Sequence, residues 1–166
     1  SNLTCATQVA PDLWPCQGDQ RQIDQVFDNL LINARQAMPD GGQVSVAAEN
    51  VVLDANADVP LPQGRYVRVT VADQGPGIPK ELQSRIFEPF FTTKAQGTGL
   101  GLAPTHSIVR RHRGHIEVTS EPGQGARFTV YLPAAEAVIE TDPARPGGRP
   151  APRCRVLLLE DEPHVR

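Results

Sequence analysis

The chain has 166 residues, 39% of them hydrophobic, and a formal net charge of −3. That length fits one ordinary globular domain with extra residues at the ends, and the apolar content is enough for one core. The charge balance gives no electrostatic case for nucleic acid or an anionic membrane surface; no apolar stretch approaches a membrane span, and the opening residues do not read as a signal peptide.

Residues 1–18 hold Pro11, Pro15 and Gly18 and are compatible with a short strand and a turn. From Asp19, a plausible N-cap, the pattern becomes helical: Ile23, Val26, Phe27, Leu30, Leu31, Ala34 and Ala37 recur at three- and four-residue intervals. Pro39-Asp40-Gly41-Gly42 ends that helix. Residues 43–52 alternate apolar and polar as a half-buried strand does, 55–64 form a Pro- and Gly-bearing loop, and 66–72 form the clearest strand, with Val67, Val69 and Val71 on one face. Two strands joined this way form an antiparallel pair.

Residues 73–101 are rich in Gly, Pro and Thr, with one short helical piece near 80–87. A loop of that length usually has a function. A helix over 102–112 follows, with Pro104 near its start, where proline is tolerated. Strands over 115–120 and 126–132 are joined by Glu121-Pro122-Gly123-Gln124-Gly125. Residues 134–153 read as a Pro/Ala/Gly/Arg linker, and the apolar run 155–159 as the start of another domain over 154–166. The order predicts an α+β two-layer sandwich: a mixed, mostly antiparallel sheet with helices on one face, its domain spanning 19–133 behind a lead-in over 1–18. The three cysteines, Cys5, Cys16 and Cys154, fit neither a zinc site nor a redox CxxC pair and read as reduced thiols of a cytoplasmic protein.

Four segments carry candidate chemistry. Asn29 and Asn33 are one turn apart on the first helix, and an amide oxygen is a neutral ligand for a hard cation such as Mg²⁺. Two asparagines on a helix are also what a solvated face carries. Asp73-Gln74-Gly75-Pro76-Gly77-Ile78-Pro79 follows the clearest strand. A carboxylate there accepts hydrogen bonds only, which suits the exocyclic amine of adenine and rejects a guanine carbonyl, while Gly75 and Gly77 let backbone approach a flat base. An ordinary Asp-Gly turn has the same composition. Phe87-Glu88-Pro89-Phe90-Phe91-Thr92-Thr93-Lys94 puts three aromatics into an aromatic-poor chain, and Gly97-Thr98-Gly99-Leu100-Gly101-Leu102 precedes a helix, whose N-terminus favours anions. No Gly-Lys-Ser/Thr stands at P-loop spacing.

In this order and spacing the four segments resemble the N, G1, F and G2 boxes of the catalytic, ATP-binding domain of sensor histidine kinases, within the ATPase superfamily shared with gyrase, chaperones and mismatch-repair proteins. Glu121-Pro122-Gly123-Gln124-Gly125-Ala126-Arg127-Phe128 is similar to the closing strand motif of that family. The resemblance covers about 19–133 and implies a Bergerat-type fold that binds ATP and Mg²⁺. By it, Asn33 would hold Mg²⁺ against the phosphates, and Asn29, Arg35 and Gln36 would lie near them. Asp73 would read adenine, and Gly75, Gly77 and Ile78 would shape the base pocket. Phe87 would anchor the lid, to which Thr92, Thr93, Lys94, Gly97, Thr98, Gly99, Leu100, Gly101 and Leu102 would belong, and Thr129 would sit on a strand bordering the adenine. Asn29, Asn33 and Lys94 would form the catalytic group.

Hydrolysing relatives carry a glutamate base near the position of Asn29, so asparagine there favours phosphotransfer over ATP hydrolysis, with Asp28 the nearby acid. None of His106, His112, His115 and His164 is followed by an acidic residue, as the family's phosphoacceptor is; His112 and His115 read as structural. The acceptor is therefore expected on a separate dimerising domain of the same parent protein, a homodimer that can be membrane-anchored, while this fragment is expected to be monomeric, without nucleic-acid or direct membrane contact. Arg155-Val156-Leu157-Leu158-Leu159-Glu160-Asp161-Glu162 resembles the first strand and acidic cluster of a receiver domain, which implies a hybrid kinase. The rival readings are a gyrase-like ATPase and a nucleotide-dependent interaction module.

Overall fold

Asp19 caps the first helix: its Oδ1 accepts the N–H of Gln22 at 3.2 Å, and α1 runs over Gln20–Ala37. The helix stops before Pro39, and Gly41 supplies the left-handed residue (φ +106°) that turns the chain. The computed structural model describes residues 3–92 and 101–135. A strand, β1 (Leu3–Val9), precedes α1, and β2 (Gly42–Leu53) follows it, pairing with β1 in parallel. The helix is thus the crossover that two adjacent parallel strands require.

β2 turns back into β3 (Gly64–Asp73), antiparallel, with Val46 opposite Val71 and Val44 opposite Asp73. A single helical turn, α2 (Lys80–Gln83), and a longer helix, α3 (Leu102–Arg111), lead to β4 (His115–Ser120) and β5 (Ala126–Pro133). β5 inserts between β3 and β4, giving the order β1-β2-β3-β5-β4, antiparallel except for the first pair. The two-layer α+β architecture expected from the sequence is present.

One face of the sheet and the helices share the core. Val26, Leu30 and Ala34 of α1 and Ile108 and Val109 of α3 pack with Val44, Val71, Ile116, Phe128 and Val130. The other face carries a smaller cluster, Leu53, Tyr66 and Tyr131, covered by the β2–β3 connection at Val59 and Leu61. His112 joins the helices end to end: its Nδ1–H donates to the carbonyl of Ile108 (2.8 Å) and its Nε2 accepts the N–H of Asp19 (3.0 Å). Pro104 does not shorten α3, which begins two residues before it; in the first turn its missing N–H has no intrahelical partner to lose.

The short strand compatible with residues 1–18 is present as β1, but it belongs to the same sheet as the domain expected over 19–133, and a loop is clipped to it. The side chain of Asn50 accepts from the N–H of Trp14 (2.8 Å) and donates to the carbonyl of Asp12 (2.9 Å), while the guanidinium of Arg65 lies 3.9 Å from the Trp14 ring centroid. The lead-in also bonds the end of β5, the N–H of Ala135 donating to the carbonyl of Pro15 at 2.7 Å. The helical piece expected over 80–87 is one helical turn followed by hydrogen-bonded turns at Arg85, Ile86 and Glu88. Leu31, counted among the apolar stripe, is exposed, as is Ile32.

The helix face can be checked by substitution. Leu30 is 1% exposed and Ile32 is 48% exposed, so Leu30→Ala is expected to cost about 3 kcal/mol in chemical denaturation. Ile32→Ala should stay within about 0.5 kcal/mol, since alanine is the better helix former. Equal losses would mean that α1 buries a different stripe.

Candidate functional site

Asp73 is the last residue of β3, on the side of Val71, which faces the helices. Its Oδ1 accepts two backbone N–H groups, that of Gly75 at 2.9 Å and that of Ala126 at 3.3 Å. No described residue hydrogen-bonds its Oδ2. A second bond-accepting oxygen therefore stands at the sheet end, half-buried, beside a glycine loop.

That loop presses on α1. A Cβ on Gly75 would lie 2.9 Å from both the Ala37 Cβ and the Asp73 carboxylate, so only glycine lets the backbone this close. Ala37 lies one turn after Asn33 and two after Asn29, so the three residues form one row along the helix. At the far end of the row, the Asn29 Nδ2 donates to the carbonyl of Gly101 and to the hydroxyl oxygen of Thr105, both at 3.1 Å. Thr105, fully buried, donates to the same carbonyl at 2.9 Å. A Cβ on Gly101 would stand 3.8 Å from the Asn33 Nδ2. The α1 flank thus connects Asp73 and Gly75 at one end to Gly101 and the start of α3 at the other.

Ile78, Phe87 and Leu102 are partly buried against the main core. Phe87 stacks on His106 with ring centroids 5.4 Å apart, and Phe91 packs inward under the Arg85 guanidinium, 4.6 Å from its ring centroid. Phe90 does the opposite, 76% exposed with φ +64°.

Other expected site residues are placed elsewhere. Thr129 is paired with Thr70 and Glu117 on the sheet face away from the helices, so its side chain does not share the Asp73 side. The β5 group beside Asp73 is the backbone N–H of Ala126, which no side-chain pattern could announce. Arg35 and Asp28 are exposed and leave α1 away from the asparagine row, whereas Gln36 shares its flank. Thr92 is exposed. Thr93, Lys94, Gly97, Thr98, Gly99 and Leu100, and the run 155–162, lie outside the described residues. Thr105, unmarked in the sequence, is the buried hydroxyl that ties Asn29 to α3.

The described residues contain no group of three His, Cys, Asp or Glu side chains able to cage a metal. The donor set around the α1 row is one of neutral amides, which fits Mg²⁺ held by few protein ligands together with phosphate oxygens. No described helix is long and apolar enough to cross a membrane. Burial, and then the nearby Arg110 charge, lowers the His106 pKa. His115 is also lowered, mainly by burial, with Arg110 and His106 adding to the effect and Glu117 opposing it.

The family model described as histidine kinase-, DNA gyrase B-, and HSP90-like ATPase matches residues 18–136. The sensor kinase CckA of Brucella abortus (strain 2308) is 39% identical over 93% of this chain and 18% of its own length. Sporulation kinase A of Bacillus subtilis (strain 168) is 45% identical over 70% of this chain and 17% of its own. The chain therefore spans about a fifth of the length of these relatives. Among solved structures, the mycobacterial sensor histidine kinase MprB superposes with a TM-score of 0.65 at 29% identity, covering 80% of this chain and 82% of that one. Full-length ShkA in complex with AMPPNP gives 0.65 at 31% identity over 81% of this chain and 26% of its own.

The two lowered histidines set a direction for stability against pH. Both have folded-state values below the ordinary 6.5, so the unfolded chain binds more protons and stability declines as pH falls below about 6.5. Thermal melts from about pH 8 to about pH 5.5 should show Tm falling, and His106→Gln with His115→Gln should flatten that fall. An unchanged slope in the double variant would assign the effect to other groups.

Proposed function

The chain belongs to the histidine kinase-, DNA gyrase B- and HSP90-like ATPase family, and from that premise we propose that it binds Mg-ATP and donates the γ-phosphate to a histidine on a separate dimerisation domain of a sensor kinase. The observation that carries this reading is the row along α1. It begins at the Asp73 carboxylate, whose Oδ2 no described residue engages, and ends at Gly101 beside Asn29 and Asn33. Adenine would donate its exocyclic amine to Asp73 over Gly75 and Gly77. The phosphates would run along the helix flank toward the start of α3.

Asn33 would hold Mg²⁺, which neutralises phosphate charge when bound, and Gln36 lies on the same flank. The AMPPNP complex of ShkA supports adenine-nucleotide binding on this fold. Thr93, Lys94 and the glycines at 97 and 99 are proposed, from the sequence resemblance alone, to add phosphate donors. Catalysis here is positioning and charge neutralisation. Asn29 supports transfer over hydrolysis: its amide has no basicity toward water, and its Nδ2 is engaged with Gly101 and Thr105. The cytoplasmic location and the receiver start at Arg155 to Glu162 are part of the same proposal and rest on the sequence.

Calorimetric titration of ATP with and without Mg²⁺ tests the assignment. Asp73→Ala should abolish the preference for ATP over GTP, and Asn33→Ala should remove the gain in affinity that Mg²⁺ gives. Folded variants that keep both properties would refute it. Labelled ATP mixed with a cognate acceptor domain separates a kinase, which labels the acceptor, from a binding module that leaves it bare.

A further inference from the structure

The loop from Asp73 to Pro79 contains two glycines and a proline pair and has little intrinsic reason to hold one shape. Two side chains outside it fix both backbone groups of Ile78. The Ser120 hydroxyl oxygen accepts the Ile78 N–H at 2.8 Å, and the Gln83 Nε2 donates to the Ile78 carbonyl at 2.9 Å. The same Gln83 Nε2 also donates to the Ser120 carbonyl at 2.7 Å. The Ser120 hydroxyl donates onward to the carbonyl of Gly125 at 2.6 Å.

These bonds close a ring. Gly125 packs its backbone directly on the Asp73 carbonyl, so closely that any side chain at 125 would collide with it. The N–H of Gly123 donates to the carbonyl of Pro76 at 2.7 Å, and Gly77, at φ +76°, packs on the Glu121 carbonyl. Three elements therefore meet through two side chains: α2 through Gln83, the end of β4 through Ser120, and the β3 exit through Asp73 and Ile78. Removing the Ser120 hydroxyl would orphan the Ile78 N–H and the Gly125 carbonyl together.

We propose that Gln83 and Ser120 are positioning residues that hold the Asp73–Ile78 loop in its nucleotide-accepting shape before nucleotide arrives. The inference rests on the ATP-binding reading above and deepens it. Neither side chain is needed to touch the ligand. Each acts by sparing the ligand the ordering of a glycine-rich loop, which is the ordinary route by which preorganisation raises affinity.

The test uses the full chain with Mg-ATP as the probe, together with amide hydrogen exchange at Ile78 in the nucleotide-free state. Ser120→Ala and Gln83→Leu each remove two hydrogen bonds; each should weaken ATP by about tenfold or more and should speed Ile78 exchange. Ser120→Thr keeps the hydroxyl and should bind within about twofold of the original chain, a rescue that a packing role would not give. If Ser120→Ala fails to fold, Gln83→Leu, which replaces a half-buried side chain on the single turn of α2, carries the test. Folded alanine and leucine variants with unchanged ATP affinity would overturn the proposal, as would a threonine variant as weak as the alanine one. A parent chain that binds no ATP would overturn the functional reading instead; Ile78 exchange then decides alone, acceleration upholding the brace and no change overturning it.

Discussion

One carboxylate oxygen with two peptide donors, the N–H groups of Gly75 and Ala126, is the joint on which the molecule's candidate chemistry depends. The donors come from segments fifty residues apart, one from the loop after β3 and one from the first residue of β5. Only the antiparallel pairing of β3 with β5 brings them together. Held this way, Asp73 cannot swing its bonded oxygen away, and no described residue hydrogen-bonds its other oxygen. A specificity contact needs that rigidity, because a mobile acceptor would adapt to a wrong base as readily as to the right one.

Helix α1 converts this local fixture into a site of useful length. It packs one stripe, centred on Val26, Leu30 and Ala34, into the core, which turns Asn29, Asn33 and Ala37 along its flank. Ala37 meets the Asp73 loop, while Asn29 grips the carbonyl that begins α3. The same buried stripe that stabilises the fold therefore sets the spacing between the Asp73 end and the Gly101 end, the two ends that the proposed function assigns to base and phosphates. Asn29 shows how closely structure and chemistry are joined: in bonding Gly101 and Thr105 it holds α3 in place and offers no base for water.

Much of this was legible in the sequence because the signals were periodic or glycine-marked. The 3.6-residue stripe announced α1, alternating valines announced β3, and the glycine pair after Asp73 marked backbone close approach. What escaped was of other kinds. β1, an exposed edge strand, was legible only as a short strand, and nothing in its pattern showed that it joins the sheet. The Ala126 contact is made by backbone, which every residue carries. Thr129 was expected beside the base from its strand, but strand parity puts it on the other face, one residue out of phase with Ala126 and Phe128. Arg35, which the resemblance puts near the phosphates, leaves α1 away from the asparagine row by helical geometry. Gln83 and Ser120 look like ordinary polar residues until the turn at 121–125 folds onto the loop at 73–78.

The most direct measurement of the central claim is a backbone amide spectrum of the chain titrated with Mg²⁺ and a non-hydrolysable ATP analogue. If one nucleotide spans the α1 flank, the amides of Gly75, Ala126 and Gly101 must shift together along a single binding curve. Shifts confined to Gly101, or separate curves for the two ends, would contradict the account, since base and phosphates would then not share the row that Asn29, Asn33 and Ala37 define.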